Sequence, residues 1–508
     1  WDLSPLYEDL EGPDIQAALA RLSAMIDELE TWTVDHLDSP DHESESDGGG
    51  RLEGLLPRLE EAILLRGRLG TYAHCRLSTD SRDAAARRRL SEVEQLGLGL
   101  GRILRRFDQW LADHAAQLGA WGRATPSLAE YLPALWDRVD DQQWRMPLEQ
   151  EDLAADLLVS GGGSMWKLQN AMTTQHTVAL ERDGTTETLS MSMVRSLAYD
   201  PDESVRRRAY EAELEGWAAI REPVAFALNG VKGSALSLAR RRGHPDVLCE
   251  ALQANRVDRE THDALLGAMR SRLPVFRQYL RSKATKLGKP VLPWWDLFAP
   301  VGRHNTGYTW AKAEAFVVEQ FGDFHEELAR FAQHAFDQRW IDAEPREGKT
   351  GGGFCAPVPA LDESRILINF DGSLDQVATL AHELGHAYHN HCQGGMPVLQ
   401  RGAPSTLAET ASTFCETIVF DAALAAAPNP NATLSILENQ LMGATQVIVD
   451  IYSRYRFEAE FIRRREHAEV SADECCAMML EAQREAYGDG LDPDQLHPYM
   501  WVLKPHYY

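Results

Sequence analysis

The chain has 508 residues, 44% of them hydrophobic, and a net charge of −26, which allows a substantial core and two or more lobes. That charge excludes a nucleic-acid partner, because no basic field is present to displace counterions from phosphates. No apolar run approaches the roughly 18 residues of a membrane span, no basic-then-apolar leader opens the sequence, and seven cysteines, with Cys475 and Cys476 adjacent, do not read as a secreted disulfide framework. A soluble cytoplasmic protein, with no membrane partner, is expected.

From Trp1 to about Tyr199 leucines and alanines recur at helical intervals. They predict helices over Ile15–Thr31, Arg51–Leu77, Ser81–Leu118 and Leu128–Arg138, the last kinked at Pro133. These form an expected N-terminal helical domain, residues 1–199. Within it, Asp35–Gly50 is acidic, polar and glycine-ended, and reads as a mobile surface loop. Ser160–Ser164 and the threonine-rich Thr173–Thr188 interrupt the helical pattern. Asp183-Gly184 between Val178-Ala179-Leu180 and Thr186-Glu187-Thr188-Leu189 predicts a hairpin at a seam between lobes.

Helical patterning resumes over Asp202–Arg221, Ala225–Arg242 and Arg259–Leu287, and the catalytic domain is placed at 200–508. Gly348–Gly353 is a close-approach segment ahead of two short strands, Phe354–Pro359 and Arg365–Phe370. Leu434–His467 and Ser471–Tyr487 read as helices, followed by a loop at Gly488–Pro493 and an aromatic, histidine-rich stretch from His497 to Tyr508. The arginine clusters 87–89, 206–208, 240–242 and 463–465 are expected on solvated helix faces beside acidic partners.

The chemistry concentrates in Ser373–His391, SLDQVATLAHELGHAYHNH, which carries His382-Glu383-Leu384-Gly385-His386, the pattern H-E-x-x-H. Ser373 can cap this helix and Gln376 can close a capping box. At about 100° and 1.5 Å per residue, His382 and His386 lie one turn apart on one face. Two imidazoles so placed can hold one metal ion, while Glu383 reaches a water on it without being a ligand. Read without further context, the same stretch is an amphipathic helix with ordinary histidines.

A catalytic zinc site takes three protein ligands and leaves the fourth position to water. After the turn-rich Gln393–Pro404, Ser405 reads as the N-cap of a second helix with Glu409 in its first turns, and Glu409 is taken as the third ligand. Ser412 and Glu416 follow one and two turns on, where either could hydrogen-bond a liganding histidine. His389 lies about 10 Å from His382 along the axis, too far to share a tetrahedral ion. The pattern H-E-x-x-H-x-x-G-x-x-H fails at His389 and at Cys392. Cys392 and Cys415 flank the metal helices and read as buried structural cysteines. With the zinc motif behind them, Gly352 and Gly353 read as the place where a substrate backbone approaches a sheet edge; alone, the run is a plain glycine turn.

H-E-L-G-H-A-Y-H followed by L-A-E-T-A-S-T-F-C-E resembles the M3 family of zinc metallopeptidases, in its oligoendopeptidase F branch. The resemblance extends through Trp1 to Tyr7, Trp295-Asp296-Leu297 with Pro300, Lys349 to Cys355, and Pro505-His506-Tyr507-Tyr508, and so covers essentially the whole chain. It implies a mainly α fold, with two helical lobes around a substrate channel and a small β-sheet next to the zinc helices. It implies one zinc ion on His382, His386 and Glu409, with Glu383 as general base on a zinc-bound water, and short peptides cut at internal bonds. His506, matched to a family position, is the implied donor to the oxyanion. Tyr507 is a second candidate for substrate contact, with a packed aromatic as its other reading. The family continues past the position of Tyr508 and the chain starts without methionine, so a sequence trimmed at both ends, or a fragment lacking the C-terminal end of the catalytic domain, is expected. Two other functions fit these residues: a zinc carboxypeptidase or dipeptidase of similar fold, and a peptide-binding protein without turnover, against which the intact metal residues count.

Overall fold

A computed structural model describes residues 1–37, 48–182, 184–302 and 307–508. The chain forms two compact units, each assembled from two separate stretches: Trp1–Leu148 with Asn305–Ala423, and Glu149–His304 with Leu424–Tyr508. The division expected near residue 200 is not where these units part. The structure is mainly α, with one small sheet beside the metal-motif helix.

In the first unit, helices Pro13–Leu37, Gly48–Thr79 and Ala84–Asp113 bury a leucine-rich face. Leu22, Leu52, Leu59, Leu69 and Phe107 meet there, joined by Val358 from the sheet. Asp83 caps the third helix, its Oδ1 accepting from Ala86 N at 2.9 Å. The single helix expected over Ser81–Leu118 is two, Ala84–Asp113 and Ala115–Ala124, parted at His114, whose Nδ1 lies 2.8 Å from Trp110 O. Pro133 does not kink its helix. It occupies the first turn of Leu132–Gln142, where its missing N–H has no partner to lose. The ends of the expected Asp35–Gly50 loop are helical, up to Leu37 and from Gly48; the rest of that loop lies outside the described residues.

The second stretch of this unit adds helices Trp310–Phe324 and Glu326–Asp337, a three-stranded sheet, and the helices of the metal motif. Glu363–Leu367 is the central strand, parallel to Ile341–Asp342 and antiparallel to the edge strand Phe354–Val358. The run from Ser364 to Ile368 is buried, Arg365 included, whose guanidinium donates to Asp2 O at 2.9 Å and Ser364 O at 2.8 Å. Helix Leu374–Cys392 packs on this sheet, where Asn390 Nδ2 donates to Ser364 Oγ at 3.1 Å, and buries Val377, Ala378, Leu380, Ala381 and Leu384.

The second unit is built on one helix of 39 residues, Glu203–Arg241, which runs straight through Pro223 where two helices were expected. It is joined by Arg259–Lys286, by Pro430–Thr445 and Ile451–Arg465 with a π-helical turn at Gln446–Asp450 between them, and by Ala472–Tyr487. Ser471 and Glu474 form a complete capping box at the last of these. Trp217, Phe457, Phe461, Tyr487 and Trp501 fill its core. The expected hairpin forms as Thr177–Arg182 and Thr185–Ser190, within this unit rather than at its border; Asp183 lies outside the described residues. Two arginines expected on solvated faces are buried instead. Arg89 donates to Leu10 O, and Arg206 donates twice to Asp296 Oδ1, at 3.0 and 2.7 Å, so each charge is taken up by fixed acceptors. Among the described residues, no helix is long and apolar enough to cross a membrane.

Candidate active site

Helix Leu374–Cys392 opens at Ser373, whose Oγ accepts from Gln376 N at 3.2 Å. One face of this helix is buried and apolar, and His382 and His386, only partly buried, lie on another, their ring centroids 4.9 Å apart and nearly perpendicular. The downstream segment differs from its expected form. Pro404, not Ser405, precedes a single turn, Ser405–Ala408, and the longer helix begins only at Thr410. Glu409 sits at the break between them, outside helical geometry.

Gly385 sets the distance between these elements. A Cβ at this position would stand 2.6 Å from Ala411 O and 2.7 Å from Ser412 Cα, so the two chains touch backbone to backbone here. The contact brings Glu409 Oε2 to 3.2 Å from both His382 Nε2 and His386 Nε2. Ser412 Oγ donates to Glu409 Oε2 at 2.8 Å, and Glu416 Oε2 lies 3.1 Å from His382 Nδ1. Of the two expected supports, Glu416 therefore holds a histidine, whereas Ser412 holds Glu409. With His382 Nδ1 anchored, its Nε2 is left for the shared point.

Among the described residues, His382, His386 and Glu409 form the group able to share a metal ion, with ligand atoms within 4.8 Å of one another. His389 is apart from it, beside Gln393 Nε2 at 3.4 Å and in the wall of a cavity of about 270 Å³ that also touches His386. Cys415 is buried as expected, but Cys392 is exposed, because it ends its helix where no neighbour covers it.

Glu383 is only 6% exposed, and its Oε2 has no hydrogen-bond partner. Burial pushes its carboxyl up to about 7, with His382 pulling it down and Glu409 pushing it further up. Burial lowers His386, which favours the neutral, liganding form. Burial would lower His382 as well, but the bond to Glu416 and the nearby carboxylates raise it. Two imidazole nitrogens and a carboxylate oxygen converging on one point, beside a buried carboxylate with an unpartnered oxygen, fit a divalent metal ion with a water next to it.

A clamp missed in the sequence fixes the glycine run ahead of the edge strand. The Lys349 side chain is 0% exposed, and its Nζ donates to Ile368 O at 2.7 Å, Asp342 Oδ1 at 2.9 Å, Glu344 O at 3.0 Å and Asp342 O at 3.1 Å. Asn369 Nδ2 donates to Thr350 O and Gly352 O at 3.0 and 2.9 Å. Gly352, at φ +82°, is in a conformation open to glycine, and a Cβ at Gly353 would lie 3.1 Å from Glu383 Oε1. The exposed glycine run thus passes directly over Glu383. No sequence signal marks this clamp, since Lys349 is buried only by tertiary packing. His506 and Tyr507 belong to the second unit. His506 is exposed, and Tyr507 is buried against Phe457, ring centroids 5.1 Å apart, as a packed aromatic.

The sequence pattern of Peptidase family M3 matches residues 196–508, more than half of the chain. The chain belongs to peptidase family M3. It is 25% identical over 316 residues to the group B oligopeptidase PepB of Streptococcus agalactiae, a match covering 62% of this chain and 52% of that protein. It is 22% identical over 499 residues to the oligopeptidase PepF of Bacillus subtilis, covering 90% of this chain and 70% of PepF. The chain spans about half the length of PepB and of the chromosomal oligoendopeptidase F of Lactococcus lactis. In fold, this M3 peptidase is similar to oligoendopeptidase-F from Enterococcus faecium, with a TM-score of 0.72 at 17% identity over 97% of this chain and 83% of that one. It is also similar to PZ peptidase A, with a TM-score of 0.68 at 13% identity over 99% and 85%.

Proposed function

We propose that this M3 peptidase is a zinc-dependent endopeptidase that hydrolyses internal bonds of short oligopeptides in the cytoplasm. The observation that carries the reading is Glu409 Oε2 at 3.2 Å from both histidine Nε2 atoms, beside the buried and partly unpartnered Glu383. The oligopeptidase and oligoendopeptidase names of its relatives support the substrate class. Seven free cysteines support a reducing compartment. The peptidase domain, taken as 200–508, starts close to where the family match begins.

His382, His386 and Glu409 would hold one zinc ion, which supplies Lewis acidity: it lowers the pKa of a bound water to about 7 and polarises a peptide carbonyl. Glu416 keeps His382 turned to the ion, and Ser412 does the same for Glu409. Glu383, with its carboxyl raised to about 7 by burial, takes the proton of the attacking water at its free oxygen and returns it to the departing amine. Gly352 and Gly353, held by Lys349 and Asn369, leave room for a substrate backbone over Glu383. His506 is the proposed donor to the tetrahedral oxyanion, and Tyr507, buried against Phe457, keeps its packing role.

Digestion of an internally quenched peptide, with products identified by mass spectrometry and zinc content measured in parallel, tests the reading. Internal cuts that a chelator stops and zinc restores are expected. Release of residues only from one end would replace the endopeptidase with an exopeptidase, and peptide binding without cutting would replace it with a binding protein.

A further inference from the structure

The edge strand Phe354–Val358 has a backbone polarity that can be read residue by residue. Ile366 N and Ile368 N donate to Trp340 O and Asp342 O, both at 2.9 Å. Residues 364, 366 and 368 therefore turn their backbone groups toward Ile341–Asp342, and residues 363, 365 and 367 turn theirs toward the edge strand. In the register, 363, 365 and 367 face Val358, Ala356 and Phe354, so these three are bonded inward. Cys355 and Pro357 then point their backbone groups outward, to the open edge. Pro357 is suited to this, because it has no N–H to offer the ladder.

The two outward residues are not equivalent. Thr71, on helix Gly48–Thr79 of the same unit, donates its Oγ1 to Pro357 O at 3.1 Å. With no N–H, and with one lone pair of its carbonyl held by Thr71, Pro357 offers an added strand only an acceptor shared with that hydroxyl. Cys355 keeps both its N–H and its C=O, and neither has a partner on that side among the described residues. Gly353, one step before the strand, lies over Glu383.

We infer that Thr71 and Pro357 together end the ladder on which a peptide substrate is held, so that Thr71 is a specificity-determining residue. The inference rests on the site being a peptidase site. A peptide pairing antiparallel to the edge exchanges both of its hydrogen bonds with Cys355. Its residue two places toward the N-terminus then lies opposite Pro357, where it finds no donor and only an acceptor shared with Thr71. Backbone recognition on this side of Glu383 is therefore concentrated in a single bonded pair, and peptides extended further toward their N-terminus gain little from the edge.

A scan of peptides carrying one N-methyl group at successive positions tests this in the 508-residue chain. Affinity is read by fluorescence anisotropy in the Glu383→Gln background, and cleavage in the Glu383 background. The native Thr71 protein should lose affinity when the residue opposite Cys355 is methylated and be indifferent two places toward the N-terminus. Thr71→Val, which keeps the shape and drops the hydroxyl, frees Pro357 O. N-methylation two places on should then cost about fivefold in affinity, the worth of one backbone hydrogen bond. Thr71→Ser keeps the donor and should restore the native profile. An identical scan in native and Thr71→Val proteins, or sensitivity opposite Pro357 in the native protein, overturns the inference. Cleavage with a flat scan sinks the ladder and leaves the peptidase standing; the expected binding scan without cleavage does the reverse; peptide binding in neither background overturns both.

Discussion

Replacing Gly385 with alanine adds one methyl group at the narrowest point of the candidate site. In an isolated helix the change would be favourable, by about 1 kcal/mol of helix propensity. Here the new Cβ would meet Ala411 O at 2.6 Å, where ordinary contact begins at 3.4 Å, a deficit of about 0.8 Å against backbone atoms that cannot rotate away. Overpacking of this kind costs about 1 to 3 kcal/mol, so the net change in stability should be a loss of no more than about 2 kcal/mol. The geometric effect should be far larger. Glu409 and Ser412 are carried on the element that must back away, and metal–ligand distances tolerate only about 0.2 Å. Zinc affinity, measured by competition with a chromophoric chelator, should fall by at least about tenfold to a hundredfold, while thermal unfolding of the metal-free chain moves by only a few degrees. A Gly385→Ala chain that binds zinc as tightly as the native one would refute the account of this contact.

Glu383→Gln should abolish hydrolysis and leave zinc bound, since the amide fills the same volume without accepting the proton; retained activity would sink the mechanism. Glu409→Ala should strip the metal, whereas His389→Ala, standing at Gln393 and away from the shared point, should not; zinc content of the purified variants decides between them. In the second unit, burial alone would raise the Glu213 carboxyl, but Arg195 and His497 hold it down, from 4.5 to about 2. A folded value below the unfolded one means that its contribution is complete above pH 4.5 and disappears as the pH falls through about 2. At 1.36 kcal/mol per unit this is about 3 kcal/mol, so denaturant unfolding of the native chain should weaken across that window by about this much more than that of Glu213→Gln.

What could be read ahead of the structure was local. His382, Glu383 and His386 are related by helix pitch alone, and Glu409, Ser412 and Glu416 by their distance from one cap, so spacing was enough to nominate them. Tertiary relations were hidden. Gly385 reads as an ordinary helix-weakening residue until Ala411 is known to lie against it, and Lys349 reads as a surface cation until Asp342 and Ile368 close over it. The roles of Ser412 and Glu416 turned on a helix break at Glu409 that nothing in S-T-L-A-E-T-A announces. Proline was the poorest guide: Pro133 opens a helix where a kink was expected and Pro223 sits inside one where two were expected, because packing along a long helix can absorb a lost hydrogen bond.

The interleaving of the two units bears on how the chain can be made. It crosses between them at 148/149, 304/305 and 423/424, so the first helices to leave a ribosome cannot finish their own core. Val358, which shares a buried cluster with Leu52 and Phe107, arrives about 250 residues of translation after Phe107. During that interval an apolar helical face stands open, the kind of surface on which chaperones act. A nascent chain that stops between His386 and Glu409 carries both histidines of the candidate metal group without its carboxylate, so that group is complete only after most of the polypeptide has been synthesised.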